Sequence, residues 1–264
     1  MKRYPSDFIW TLFSLLFTVI VVHSAFVTVI RPRAEEILTT EQAKLKADKD
    51  YVPERSVYLV IKDYEQEAEI IHFIWAMLIL GYKAVGTRRE RRLLDRDLVH
   101  VHEGIKILPE DAKDYARELE ALPAENRSML VVRALHRTLD RFGATRSIRD
   151  SAEAAHAVCD SEADRLDSGM AMIRYIAWAI PAIGFIGTVR HIGDALLLAH
   201  KAVGGDISGV TSGLGIAFNA TFVALLLTII LMFFMHQVQQ AQERFVSDTE
   251  MWIDEKLIRH MQVR

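Results

Sequence analysis

WAIPAIGFIGTVRHIG, from Trp178 to Gly193, and GVTSGLGIAFNATFVAL, from Gly209 to Leu225, decide the fold of this 264-residue chain. Both stretches are apolar enough to enter a bilayer, and each carries small and hydroxyl residues at helical spacing along one face. Lipid gives no reason to place small residues on one face, whereas close helix packing does. The pattern therefore predicts two membrane helices that pack along two ladders of residues, which are Ala177, Pro181, Gly184 and Thr188, and Gly213, Ala217, Thr221, Ala224 and Thr228.

Two further apolar runs precede this pair. Phe8 to Ile30 is long enough for a span of about 20 helical residues and too long for a signal-peptide core, which predicts an uncleaved anchor. Ile70 to Val85 is shorter, and the basic cluster TRRERR at Thr87 to Arg92 follows it, as is typical of a cytoplasmic boundary. Together with Lys2 and Arg3, this cluster predicts a hairpin with a periplasmic loop. If the second run lies on the membrane surface instead, three spans remain and the N-terminus moves outside.

Charged residues fill Leu93 to Ser168, and helix start and stop signals predict three helices there. Pro109 opens the first helix. The second runs from about Ala124 to Arg141 and stops at Gly143. The third begins near Ser147 and meets no helix breaker before Pro181, so we expect it to run straight into the membrane.

Smaller signals complete the pattern. Val57 to Ile61 alternates like a short strand, and Gly204 to Asp206 predicts the turn between the last two spans. Val238, Phe245 and Trp252 recur every seventh residue and predict a C-terminal amphipathic helix. The predicted fold class is thus all-α, a polytopic membrane helical bundle of four spans with a helical cytoplasmic region.

These predictions divide the chain into four parts. Residues 1–86 form an N-terminal transmembrane hairpin with a periplasmic loop, and residues 87–168 form a helical cytoplasmic region. Residues 169–236 form a two-span core, and residues 237–264 form the cytoplasmic amphipathic helix.

Charge and cysteine content argue against two classes of function. A net charge of −3 without a basic face gives no indication of nucleic-acid binding. The single cysteine, Cys159, excludes an internal disulfide framework and any metal site built on several thiolates. Its helical surroundings predict a buried bystander rather than a reactive thiol.

The order of these pieces resembles the MotA/TolQ/ExbB proton channel family. One motif is IPAIGFIGTVRHIG, Ile180 to Gly193, with its proline, glycine and Gly-Thr-Val. The other is SGLGIAFNATFVAL, Ser212 to Leu225, with Gly-Leu, Ala-Phe, a threonine and a small-Leu pair. The segment from Thr145 to Pro181 looks like the membrane-proximal helix of larger members. The resemblance is strongest over Thr145 to Leu225 and only topological before it.

The resemblance implies a multi-pass stator or motor subunit of the bacterial inner membrane. Family members form a homo-pentamer around a dimeric single-span partner of the ExbD/TolR/MotB kind, which carries a membrane aspartate. The family's pore threonines correspond to Thr188 and Thr221. The transported ion would be H⁺ or Na⁺, with no cofactor, and one charge crossing about 100 mV releases roughly 2.3 kcal/mol. Which machine is driven stays open.

Other residues are candidates for helix packing and for shaping the ion path. Pro181 inside a membrane helix predicts a kink, and Gly184, Gly187, Gly213 and Ala217 allow close helix approach. Asn219 lies about 160° around the helix from Thr221, which points it to a neighbouring helix or subunit.

Charged groups follow the first motif. Arg190 and Asp194 are spaced to pair across one turn, and His191 lies on the Thr188 side, so His191 and Asp194 are secondary candidates for the ion path. His23 and His72 in the first two runs predict hydrogen-bonded histidines that join the hairpin. The Arg88 to Arg96 cluster is predicted to determine the topology and to contact lipid phosphates.

Three alternatives stay open at this point. The threonines can simply bond to carbonyls one turn earlier in their own helices. The same packing serves a non-conducting membrane scaffold equally well. A remote alternative is an intramembrane serine protease that uses Ser212 and His191, although no nucleophile elbow surrounds Ser212.

Overall fold

A computed structural model describes residues 6–48, 51, 56–96, 98–99, 106–205 and 207–263. Lys2, Arg3 and Asp206, used in the predictions above, lie outside these residues. Within the described ranges the chain is helical, without a β-strand. The helices are α1 Ser6–Ala25, a π-helical turn Phe26–Ile30, α2 Arg31–Ala47, α3 Val57–Ile61, α4 Tyr64–Arg91, α5 Ala112–Glu120, α6 Ala124–Arg127, α7 Leu130–Thr145, α8 Ile148–Gly169, α9 Ala171–Leu197, α10 Ala199–Val203, α11 Ser208–Lys256 and a 3₁₀ turn Ile258–His260.

Four helical stretches are long and apolar enough to cross a membrane. They are Ile9–Leu45, Tyr64–Arg91, Ile148–Leu197 and Ser208–His260. This finding confirms the predicted all-α membrane bundle, and Tyr64–Arg91 contains the shorter apolar run whose span was open.

The first helix extends further than hydropathy predicts, through polar α2. A π-helical turn joins α1 to α2, and the Arg31 amide donates to the Phe26 carbonyl. Pro32 follows directly, so the wider turn lies where the proline ring would otherwise disrupt the regular hydrogen-bond pattern. The residues beyond it are mostly good helix formers, which explains why the helix continues into polar sequence.

Two local predictions are wrong. Val57–Ile61 is α3 and not a strand, because the Leu59 and Val60 amides bond to the Ser56 carbonyl at 3.1 and 3.2 Å. A short apolar run does not reveal whether its side chains repeat with the period of a helix or of a strand. The predicted helix ending at Gly143 is divided into α6 and α7, and α7 ends at Thr145, with Arg146 as its C-terminal cap at a φ of 51°. Gly143 lies inside α7.

The helix predicted to run unbroken from Ser147 is interrupted once. The Ser147 hydroxyl accepts from the Asp150 amide at 3.2 Å and begins α8 as predicted. Met170 forms a turn between α8 and α9, and its amide donates to the Asp167 carbonyl at 2.9 Å. Gly169 ends α8, where an added Cβ would lie 2.8 Å from Lys83 Nζ.

The chain divides into two compact units. The membrane unit comprises Met1–Leu80 and Met172–Met235, and the polar unit comprises Gly81–Ala171 and His236–Arg264. The polar unit has its own apolar core, whose fully buried side chains include Ile107, Leu135, Leu139, Phe142, Ile253 and Leu257.

Cys159 lies in a second cluster of the polar unit, beside Leu130, Phe245 and Val246. The thiol is free, and the residue is 1% exposed. We expect a water-soluble maleimide to leave the native protein unlabelled and to add one label per chain after denaturation, because the sequence contains no other cysteine. Intact mass measured before and after denaturation tests this, and native labelling at full stoichiometry would contradict the buried position.

Candidate functional site

The small-residue ladders of α9 and α11 face each other within the membrane unit. A Cβ added to Gly184 would lie 2.5 Å from Ala224 Cβ and 3.1 Å from the Ala220 carbonyl oxygen. Near the other end of the pair, a Cβ on Gly213 would lie 2.6 Å from Ala195 Cβ. The two helices are therefore as close as glycine and alanine permit, which is the contact that drives association in lipid.

Thr188 and Thr221 meet at the centre of this interface. Their hydroxyls hydrogen-bond to each other. Thr188 Oγ1 also lies 3.0 Å from the Ala217 carbonyl of α11 and 3.0 Å from the Gly184 carbonyl of its own helix. Thr221 Oγ1 lies 3.4 Å from the same Gly184 carbonyl. Thr221 thus reaches across to α9, and bonding within its own helix does not explain its position.

Each hydroxyl has one hydrogen but two lone pairs. The two hydroxyl hydrogens of Thr188 and Thr221 can be donated to only two of the available acceptors at once. The pair therefore has several alternative hydrogen-bond arrangements. In each of them at least one hydroxyl oxygen keeps a free lone pair. Both residues are half-buried. Such a pair can accept a hydrogen bond from a protonated carboxyl or donate one to an ionised carboxylate without carrying a charge itself.

The other predicted residues of the path lie around this pair. Pro181 is half-buried inside α9, which continues on both sides of it. Ala217 is fully buried. Asn219 is half-buried on α11, and its amide has no hydrogen-bond partner among the described residues. Asp194 is exposed.

Two glutamates of α4 lie against the same face of the α9 glycines as α11 does. A Cβ on Gly187 would lie 2.8 Å from Glu65 Cγ and 2.9 Å from Ala220 Cβ. A Cβ on Gly184 would lie 3.2 Å from Glu69 Oε1. Gly184 and Gly187 therefore leave the space in which both α11 and the acidic face of α4 pack against α9.

Arg190 pairs with α4 rather than with Asp194, so the predicted pairing across one turn is wrong. Arg190 Nε lies 2.8 Å from Glu65 Oε1, and His191 Nε2 lies 3.7 Å from Glu65 Oε2. The side chain of Glu65 is 10% exposed and that of Arg190 is 47% exposed. A buried carboxylate attracts the nearest cation more strongly than exposed Asp194 does, since water screens the latter.

The two histidines of the hairpin are hydrogen-bonded. His23 Nδ1 lies 2.7 Å from Glu67 Oε1, and Arg31 also binds the Glu67 carboxylate. His72 Nδ1 lies 2.7 Å from the Ala68 carbonyl of its own helix. His23 thus joins α1 to α4 as predicted, while His72 bonds within α4.

Sequence reasoning missed Glu65 and Glu69, which lie before or at the edge of the apolar run. A signal for them exists: their spacing of four places them on one face of a helix, and Glu67 lies on the opposite face. The remote protease reading finds no support in the described residues, because Ser212 is exposed and His191 contacts Glu65 and Arg190 instead.

The four apolar helices and the polar interface within them define a polytopic helical membrane protein. Residues 128–251, just under half of the chain, match the model of the MotA/TolQ/ExbB proton channel family. This match confirms the resemblance drawn from the two motifs, which both lie inside it. Searches of curated proteins and of solved structures each found no match. The family consists of channel-type membrane subunits.

Proposed function

We propose that this chain is a stator or motor subunit of an ion-driven complex in the bacterial inner membrane. In this proposal it conducts protons, or sodium ions, at its interface with a single-span partner and converts the ion gradient into mechanical work. The observation that carries the proposal is the hydroxyl pair of Thr188 and Thr221, which joins the two family-matched spans.

The chemistry of the pair supports this role. An ion path needs groups that bind weakly enough to release what they bind. The free lone pair of the threonine hydroxyls can accept a hydrogen bond from the partner's protonated aspartate, and their hydrogens can turn toward its ionised form. No charge on this chain then has to be neutralised at that step, and no resident cofactor is needed.

One polar residue on the surface around the pair supports assembly with other chains. Large apolar residues flank the threonines and are exposed on the single chain, where either lipid or a neighbouring helix can cover them, namely Phe185, Ile186, Val189, Phe218 and Phe222. An amide at membrane depth requires a polar partner, and Asn219 finds none among the described residues. We propose that Asn219 bonds to a neighbouring subunit and that five copies surround a dimeric partner with a membrane aspartate.

The test is ion flux into liposomes that contain the chain together with a single-span partner that carries a membrane aspartate. Valine keeps the volume of threonine but removes the hydroxyl, so Thr188→Val and Thr221→Val are each expected to abolish flux and motor-dependent activity. Thr228→Val is the matched control on α11. Its hydroxyl donates to the Ala224 carbonyl of its own helix at 2.7 Å, so the control is expected to retain flux.

The outcomes separate the alternatives. Unchanged flux in Thr221→Val would contradict the proposed path. An assembled wild-type complex that passes neither H⁺ nor Na⁺ would favour the non-conducting scaffold. An H⁺ gradient and a Na⁺ gradient, applied in separate experiments, identify the transported ion.

A further inference from the structure

We propose that Glu69 is a proton-binding residue of this subunit, beside the threonine pair and additional to the partner's aspartate. The inference rests on the proposed function and deepens it, because it assigns the chain a proton carrier of its own. It also identifies the transported ion at this point of the path as a proton.

The burial of Glu69 is the first observation. The residue is 0% exposed, and both carboxyl oxygens lack a hydrogen-bond partner among the described residues. Gln66, one turn earlier and also 0% exposed, has an amide that is equally unpartnered. Buried polar groups are nearly always hydrogen-bonded, so two such groups on adjoining turns of one helix require an explanation.

The contrast with the other glutamates of α4 is the second observation. Glu65 pairs with Arg190, and Glu67 pairs with Arg31. Glu69 has no cation within bonding distance in the described part of the chain, although it is at least as buried as the other two. Burying an ionised carboxylate without a partner costs far more than burying a neutral carboxylic acid. The environment of Glu69 therefore suits a carboxyl that carries a proton.

The titratable groups in the neighbourhood of Glu69 already have other partners. On α4, Glu65 lies one turn away and pairs with Arg190, and the His72 ring bonds to the Ala68 carbonyl. On α9, Arg190 and His191 are both directed to Glu65. The facing residues of α11 are Ala220 and Ala224, which do not titrate.

The position of Glu69 links it to the threonine pair. Glu69 Oε1 lies against Gly184, and the Gly184 carbonyl is the acceptor that Thr188 and Thr221 share. One turn away along α4, Glu65 lies against Gly187 and contacts His191. The order Glu65, Glu69 and Thr188 thus forms a polar line through the membrane unit, along which a proton can be bound and passed on.

A metal ion fits this position poorly. Hard cations take six or more oxygen ligands in proteins. Among the described residues no group of three histidine, cysteine, aspartate or glutamate side chains lies together as such a site would require. One carboxyl and one amide suffice for a proton.

The first test is infrared spectroscopy of the purified chain in lipid nanodiscs, with ¹³C-labelled glutamate. We expect a carbonyl band of a protonated carboxylic acid that shifts with the label and is absent in Glu69→Gln. Glu67→Gln, on the same helix and ion-paired in the wild type, is the matched control and should keep the band. A band that persists in Glu69→Gln, or its absence in the wild type, would overturn the inference.

The second test is the liposome flux of the complex. Glu69→Gln is expected to lower proton flux by roughly tenfold or more, and Glu67→Gln is expected to keep it. If Glu69→Gln does not fold, Glu69→Asp replaces it in the infrared test, because it retains a carboxyl but removes the ¹³C-glutamate band from this position, and a labelled band that persists in this variant would overturn the inference. Full flux in a folded Glu69→Gln protein would contradict the inference.

These outcomes are distinguishable from failure of the proposed function. If Thr221→Val stops flux while the Glu69 band is absent, the threonine path stands and the Glu69 inference fails. If the Glu69 band is present while Thr221→Val conducts normally, Glu69 binds a proton and the threonine path fails.

Discussion

Gly184→Leu is expected to prevent the membrane unit from assembling. Even the first atom of a side chain at this position would lie 2.5 Å from Ala224 Cβ and 3.1 Å from the Ala220 carbonyl oxygen. The backbone carbonyl cannot move aside without displacing α11. Overpacking by single methylene groups already costs about 1–3 kcal/mol in well-packed cores, and leucine adds several. The variant should therefore be lost from the monodisperse peak in size-exclusion chromatography in detergent.

A graded series makes this prediction sharper. Gly184→Ala is expected to lower the thermal stability of the detergent-solubilised chain, since only one methyl group is forced into the interface. Gly193→Ala is the matched control on the same helix, because a Cβ there meets no atom within 4 Å. Alanine is a better helix former than glycine by about 1 kcal/mol, so the control should be neutral or stabilising. Equal thermal stability of Gly184→Ala and Gly193→Ala would refute the close packing of α9 against α11 at Gly184.

Arg190→Ala is expected to destabilise the membrane unit by leaving Glu65 as an unpaired, nearly buried carboxylate. Breaking a buried ion pair from one side costs about 3–5 kcal/mol. The effect should lie at the lower end of that range, because half of the Arg190 side chain reaches solvent and His191 remains 3.7 Å from Glu65. Tryptophan fluorescence during unfolding in a denaturing detergent measures the change.

The double variant tests the cause. Glu65→Leu combined with Arg190→Leu removes both charges, so it should recover most of the stability that Arg190→Ala loses. The exposed pair of Arg33 and Glu36 provides the control. Its atoms lie 3.4 Å apart with both side chains more than half exposed, and Arg33→Ala should cost no more than about 1 kcal/mol. Similar losses in Arg190→Ala and Arg33→Ala would contradict the buried pairing.

Local patterns predicted the spans and the packing surface well. Hydropathy over about 20 residues found the four helices, because the bilayer imposes its length on each of them. The period of 3.6 residues placed Gly184 with Thr188, and Ala217 with Thr221, on faces that meet in the structure. These are properties of single helices.

The failed prediction for Arg190 depends on a partner that is distant in the chain. Arg190 has Asp194 four residues away, yet it binds Glu65, which is 125 residues away in the sequence. The prediction for Val57–Ile61 failed for a local reason, because a short apolar run does not reveal its period and the Leu59 and Val60 amides bond to the Ser56 carbonyl. Only the tertiary structure shows which group Arg190 binds.

Thr188 and Thr221 show what the sequence determines and what only the tertiary structure determines. Their place on two successive membrane helices follows from hydropathy, spacing and the family motif alone, since each of these is written in consecutive residues. Their contact with each other, and the contact of Glu69 with Gly184, follow only from how α4, α9 and α11 pack. The physical reason is that a buried carboxyl is defined by what surrounds it, and its surroundings come from helices that the chain brings together only when it folds.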